Sequence, residues 1–225
     1  FIAHLHNSGF APASIISTVS AISYFHKMNG FQDPAIFVII SKLLSCAQNL
    51  RAVPNVRLPV TMPILTQWVN AVPTVVTSHY KQIMLRAMMV LAFKAYLRVG
   101  EMVPGSARTS QNCLQRHDVT VTGELISVSF KHFKHSGRQG SHSLQIDGGV
   151  VHGTSIYPAG CVSEFHQARG TVQGPLFAYV DGTPMLRREF DLSLKYLLEL
   201  CGLSSKVVKG HSFRIEAATS AALRG

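Results

Sequence analysis

Acidic residues are scarce in this sequence of 225 residues: 11 Asp and Glu stand against 21 Lys and Arg. Charged side chains make up only 14% of it, so the formal net charge of +10 rests on a thin set of basic residues. A surplus of that size favours a polyanionic partner, a nucleic acid or an anionic membrane surface. Cysteine is sparse too. Cys46, Cys113, Cys161 and Cys201 lie far apart with no CxxC pair, which excludes a disulfide scaffold and the usual zinc-finger spacings. They read as reduced, mostly buried thiols of a nuclear or otherwise intracellular protein. No apolar run approaches the roughly 18–20 residues that span a bilayer, and the longest clean run, 35–40, is core-sized. No charged n-region or signal-like apolar stretch opens the chain, so no secretory signal is expected, and the missing initiator Met suggests a fragment. Internal repeats and low-complexity segments are absent, and the Gly-rich stretch 136–141 lacks the GxxxxGK[ST] of a P-loop. What is abundant is apolar surface. The chain is 47% hydrophobic with a mean hydropathy of +0.20, which excludes a wholly disordered chain.

The hydrophobic pattern divides the chain into a helical first part and a mixed second part. In residues 1–50, Ile2, Leu5, Phe10, Ile15, Ile16, Val19, Ile22 and Phe25 recur at helical spacing, broken by Gly9 and Pro12. Ser14 is placed to cap the second helix, and Asp33-Pro34 to open a third carrying Ile36, Phe37, Ile40 and Leu43. Residues 51–59 hold two prolines and two arginines with no periodicity and read as an extended linker. A second domain, 60–225, follows. Thr61-Met62-Pro63 starts a helix, and a longer one runs from near Ser78 to about Leu97 with Tyr80, Met84, Ala87, Met88, Leu91, Ala92 and Ala95 as its apolar stripe. That places Arg98 at a helix C-terminus, where a lone cation would simply suit the macrodipole. Residues 119–121 and 125–130 read as a hairpin around Gly123, 143–146 as a third strand and 176–180 as a further short one. Thr183-Pro184 is expected to open a helix carrying Phe190, Leu194, Leu197 and Leu198, stopped by Gly202. Both parts are basic: residues 1–60 carry four Lys/Arg against one Asp, and 61–225 carry seventeen against ten. Two basic lobes on a basic linker suit a clamp around duplex DNA, where phosphate neutralisation supplies most of the affinity.

Three pieces carry candidate chemistry. The first is Ala95-Tyr-Leu-Arg-Val-Gly-Glu101. The second is the lysine region after the hairpin, Lys131 or Lys134. The third is Gly210-His-Ser-Phe-Arg-Ile-Glu-Ala-Ala-Thr219. Two arginines, a lysine and a histidine far apart in sequence can converge on one phosphate. Arginine makes bidentate contacts to non-bridging oxygens, histidine adds a donor, and lysine can protonate a leaving oxygen. Such a set stabilises phosphoryl-transfer charge without a metal. The eleven histidines include His4 and His6, and His132, His135 and His142, but no Cys or carboxylate stands beside them at ligand spacing.

In this order, Arg-x-x-Glu, a lysine in a β-hairpin turn and His-x-x-Arg resemble the tyrosine recombinase, or phage integrase-like, family, and most of all its eukaryotic mobile-element members of Crypton-like or DIRS-like type. The resemblance spans nearly the whole chain. It implies a mixed fold: an all-α N-terminal core-binding (SAM-like) domain at 1–50, and at 60–225 an α+β catalytic domain with a small antiparallel sheet. It implies double-stranded DNA as partner, homo-oligomers on DNA in the full-length protein, no membrane, no metal and no cofactor. It makes Arg98 and Arg214 the phosphate clamps, Glu101 a supporting carboxylate and His211 a proton-transfer and phosphate-binding group. Lys134 becomes the general acid for the leaving 5′ oxygen, preferred because Ser136-Gly137 follows it, with Lys131 as the alternative.

The family's nucleophile is a tyrosine beyond this motif, but Tyr24, Tyr80, Tyr96, Tyr157, Tyr179 and Tyr196 all precede His211. The chain therefore reads as C-terminally truncated and unable by itself to cleave DNA. Glu216 stands where the family has a small residue and can pair with Arg214. Three readings follow: a DNA recombinase fragment, a catalytically dead DNA-binding protein derived from one, or an unrelated helical binding module with a basic surface.

Overall fold

The computed structural model describes residues 1–50, 59–130, 142–151, 153–203 and 212–213. By its internal contacts the chain forms two units, Phe1–Asn55 and Val56–Gly225.

The first unit is helical: α1 (Ile2–Asn7), α2 (Pro12–Met28) and α3 (Val38–Leu50). Its core gathers Ile2, Ile15, Val19 and Ala47, with Leu5, Ala35, Ile40 and Leu44 packed against them. Two boundaries differ from the expectation. Pro12 already occupies the first turn of α2 and Ala11 is its N-cap, so Ser14 lies inside the helix, where its carbonyl accepts a hydrogen bond from the Thr18 hydroxyl at 2.8 Å. Asp33 caps only a 3₁₀ turn, Pro34–Ile36, through Oδ1 to the Ala35 amide at 2.8 Å. Phe37 then returns to extended backbone and α3 starts at Val38. Phe10 and Phe25, placed on the apolar stripe by spacing, are exposed.

In the second unit α4 (Met62–Val75), α5 (His79–Lys94), α7 (Pro158–Arg169) and α8 (Arg187–Leu200) enclose one core, with a four-residue α6 (Val99–Met102) after α5. Ser78 caps α5 through its hydroxyl. The stripe expected on α5 understates its burial, because Ile83, Leu85, Met89 and Val90 are buried alongside Met84, Met88 and Leu91. A helix buried around most of its circumference belongs near the centre of a core, and α4 and α7 pack on it. Phe165 of α7 stacks on Phe177 with ring centroids 5.5 Å apart and meets Tyr80 of α5 at 6.0 Å. The Tyr80 hydroxyl donates to the Ala178 carbonyl at 2.6 Å.

Strands β1 (Val119–Thr122), β2 (Leu125–Phe130) and β3 (His142–Asp147) form an antiparallel sheet in that order. Gly123, at φ +60°, makes the two-residue turn, a backbone conformation that glycine adopts without steric cost. Val119 faces Val128 and Ile126 faces Ile146, which buries one side of the sheet.

Helix α7 was not expected from the sequence. Its Pro-Ala-Gly start and weak periodicity hide it, although Pro158 in the first turn is a start signal. A Cβ at Gly160 would overlap the Tyr157 ring, so any larger residue there would push that part-exposed ring aside. Residues 176–180 form no strand: among the described residues only single bridges occur, Ala178 to Pro184 and Gln115 to Pro175. Thr183-Pro184 opens no helix. Residues 183 and 185 pair back to 179 and 177, so their backbone is committed to a turn, and α8 begins at Arg187. Gly202, at φ +68°, ends α8 as expected.

His166 of α7 supplies a pH test. Burial, then the charge of Arg116, pulls its imidazole down from 6.5 to about 4, and Nε2 has no hydrogen-bond partner. Between those values the unfolded chain binds a proton that the folded one refuses, so stability falls as pH drops from about 6.5 toward about 4. Urea midpoints at pH 7 and pH 5 should show this, and His166→Gln should flatten the difference. An unchanged slope in the variant would refute the assignment.

Candidate functional site

Helix α5 does not reach Arg98. It stops at Lys94, where the Ala95 amide donates to the Leu91 carbonyl at 2.9 Å and the Leu97 amide to the Ala92 carbonyl at 3.0 Å. Tyr96 between them sits at φ +53°, and Leu97 is buried. The backbone then turns extended, and Arg98 becomes the N-cap of α6 rather than a helix C-terminal cation. Attraction to the C-terminal end of the α5 dipole therefore does not account for a cation there. Glu101 compensates: Oε2 accepts the Arg98 amide at 2.7 Å and Oε1 the guanidinium Nη1 at 3.0 Å. One carboxylate thus caps the turn and holds the arginine side chain, which is 35% exposed.

The surroundings fasten this turn. The Leu114 amide donates to the Glu101 carbonyl at 2.8 Å, and the Arg187 amide to the Pro104 carbonyl at 2.9 Å. Beside Glu101 lies a cleft of about 370 Å³ whose walls include Gln115, His117, Asp118 and, at the end of β2, Ser129 and Phe130. Asp118 is buried and accepts the Gln115 amide at 2.8 Å, with His117 Nε2 at 3.3 Å from its other oxygen. The sequence reading did not single these residues out, though the polar run Gln-Arg-His-Asp directly ahead of an alternating strand is a signal for them.

Phe130 is the last described residue before Lys131. Lys131 and Lys134 themselves lie outside the described residues, as do His211, Arg214 and Glu216. The middle of the His-x-x-Arg motif is described. Ser212 and Phe213 are helical and buried, the Val60 amide donates to the Ser212 carbonyl at 3.2 Å, and Phe213 meets Trp68 edge-on at 6.0 Å. Of the residues selected from sequence, the structure brings Arg98 and Glu101 together.

The other chemistries are weakly served. All four cysteines are free. Burial pushes the Cys113 thiol in the cleft up to about 11 and raises those of Cys161 and Cys201, which keeps them neutral and poor nucleophiles. Among the described residues no three His, Cys, Asp or Glu side chains gather as a metal would require, and His132 and His135 lie outside them. No described helix is long and apolar enough to cross a membrane.

No family model and no curated protein sequence matches the chain. Solved structures do. The Tn1549 transposon integrase, determined in complex with circular intermediate DNA, superposes with a TM-score of 0.62 at 13% identity over 100% of this chain and 71% of its own. The XerA recombinase aligns over 100% of this chain and 82% of its own at 14% identity, with a TM-score of 0.49. The first of these carries the conclusion about fold: the chain has a tyrosine-recombinase-like mixed α+β architecture, mostly helical with one small antiparallel sheet.

Proposed function

We propose that the chain is the DNA-binding core of a site-specific recombinase or integrase, of mobile-element (Crypton-like or DIRS-like) type. In the complete protein it would break and rejoin DNA through a phosphotyrosine. The observation that supports this reading is the Arg98–Glu101 pair: a fixed, part-exposed guanidinium whose carboxylate partner lines a cleft that Ser129 and Phe130 of β2 also line. Arg98 and Arg214 clamp the scissile phosphate, His211 donates to it, and Lys134, or else Lys131, protonates the leaving 5′ oxygen. Glu101 orients Arg98. None of the six tyrosines follows His211, so the nucleophile is assigned to none of them. The first unit acts as the core-binding domain, the second as the catalytic domain. The full-length protein assembles as a homo-oligomer on double-stranded DNA in the nucleus. A second reading, a protein that binds DNA without cutting it, is favoured by Glu216, an acidic residue two positions after Arg214.

The charge supports either reading. Besides the net +10, Arg187, Arg188 and Lys195 of α8 line an open hollow of about 480 Å³ together with Gly105, Leu192 and Asp191, the last of these paired with Arg187 at 3.6 Å. Binding to a fluorescent duplex should weaken steeply with salt, log K falling by ~0.9 per phosphate neutralised for each log unit. Several contacts predict a slope of several units, and a flat plot would remove DNA as the partner.

A further inference from the structure

Tyr96 is the one residue other than glycine with a positive φ among the described residues. The left-handed region crowds the Cβ of an L-residue, and glycine or asparagine normally fills such a helix-ending position. The turn is obligatory, because it closes α5 and delivers Leu97 to the core, where that side chain is 1% exposed. A tyrosine is not. Its side chain is 43% exposed, and it makes no hydrogen bond or ring contact among the described residues. The fold therefore bears the strain of a large aromatic residue at a glycine-type position and gains no hydrogen bond or ring contact from it among the described residues. Strain held at a part-exposed residue whose hydroxyl has no partner among the described residues points to a role outside the fold.

Position indicates which role. Leu97 points inward, and its two neighbours both face solvent: Tyr96, and Arg98, whose side chain is 35% exposed. A neutral phenol donor thus stands two residues from a fixed guanidinium, on the solvent side of the same short turn. Phosphodiesters accept hydrogen bonds from tyrosine as well as arginine, and an aromatic ring covers the apolar face of a deoxyribose. We infer that Tyr96 is a DNA-backbone contact, donating its hydroxyl to a phosphate next to the one that Arg98 engages. This rests on the proposed DNA-binding function.

The test is the salt dependence of duplex binding by the full chain and three variants, with melting temperatures recorded alongside. Tyr96→Phe should weaken binding about tenfold, the cost of one hydrogen bond to a charged acceptor, with no change of slope, because a neutral donor releases no counterion. Arg98→Met should weaken binding and lower the slope by about one. Tyr96→Gly should bind more weakly still yet melt no lower than the parent, since glycine relieves the left-handed strain. Parent-like affinity in both Tyr96 variants, with Arg98→Met impaired, overturns this inference and leaves the wider reading standing. Parent-like affinity in Arg98→Met, or a flat salt plot for the parent, defeats the DNA-site reading and this inference with it.

Discussion

Trp68→Ala is expected to destabilise the second unit by about 3–5 kcal/mol, the range for deleting a buried aromatic side chain. Trp68 is fully buried on α4 and meets Phe213 edge-on. An edge-to-face pair adds about 0.5–1.5 kcal/mol beyond the area it buries. The indole Nε1 has no hydrogen-bond partner, so Trp68→Phe forfeits no polar contact and should cost far less, about 1–2 kcal/mol of volume mismatch. Position makes the consequence functional. Phe213 is the residue ahead of Arg214 in His-x-x-Arg, and the Ser212 carbonyl is tied to Val60 just ahead of α4. Emptying the Trp68 site therefore loosens the seat of the motif as well as the core. Trp68 is the single tryptophan, so its fluorescence reports the second unit in the parent protein, and far-UV circular dichroism must follow the alanine variant. The first unit has its own core, so only the transition of the second should move. A loss below about 1 kcal/mol would show that the pair does not anchor this region.

Arg98→Met should weaken duplex DNA binding by about 10- to 100-fold while barely changing stability, since a charged hydrogen bond to phosphate contributes about 1.5–3 kcal/mol. Stability is spared because Glu101 bonds the backbone amide of residue 98, which any residue other than proline retains. Glu101→Ala is the sharper test. Under the proposed function, removing a carboxylate from the DNA-binding surface would ordinarily strengthen binding. Here it should weaken binding, because Glu101 holds the guanidinium in place, and it should also cost about 1 kcal/mol for the lost cap. Tighter binding by Glu101→Ala would mean that the carboxylate competes with phosphate for Arg98 instead of positioning it. Gel-shift titrations at two salt concentrations, with urea unfolding alongside, separate the outcomes.

The elements legible in the sequence are those whose signal is local. Pro63 in a first turn, Ser78 as a cap, Gly123 in a tight turn and Gly202 at a helix end each act through their own backbone, and each lies where its chemistry requires. The apolar face of α8 was readable because a helix on the edge of a core shows one stripe. The order Arg-x-x-Glu then His-x-x-Arg, and a charge of +10, likewise need only the chain itself.

What escaped depends on partners distant in sequence. Residues 94–98 have good helix formers, and local propensity carries the helix through to Arg98. It stops at Lys94 because burying Leu97 and seating Glu101 under Arg98 outweigh one more turn. Residues 176–180 are a short continuous apolar run like a buried strand, yet only single bridges form there, at Ala178 and at neighbouring Pro175, so no ladder forms. Helix α7 has almost no stripe of its own, and its site is set by α5, the Phe165–Phe177 stack and the close fit of Gly160 on Tyr157. The sequence alone determined most of the helix-forming stretches, the hairpin, the basic character and the order of the Arg-x-x-Glu and His-x-x-Arg motifs. Tertiary structure alone decided that α5 is buried on most of its surface, where α5 ends and where α7 packs, because those choices are settled by packing contacts between distant segments, whose energies outweigh the few tenths of a kcal/mol per residue that separate local propensities.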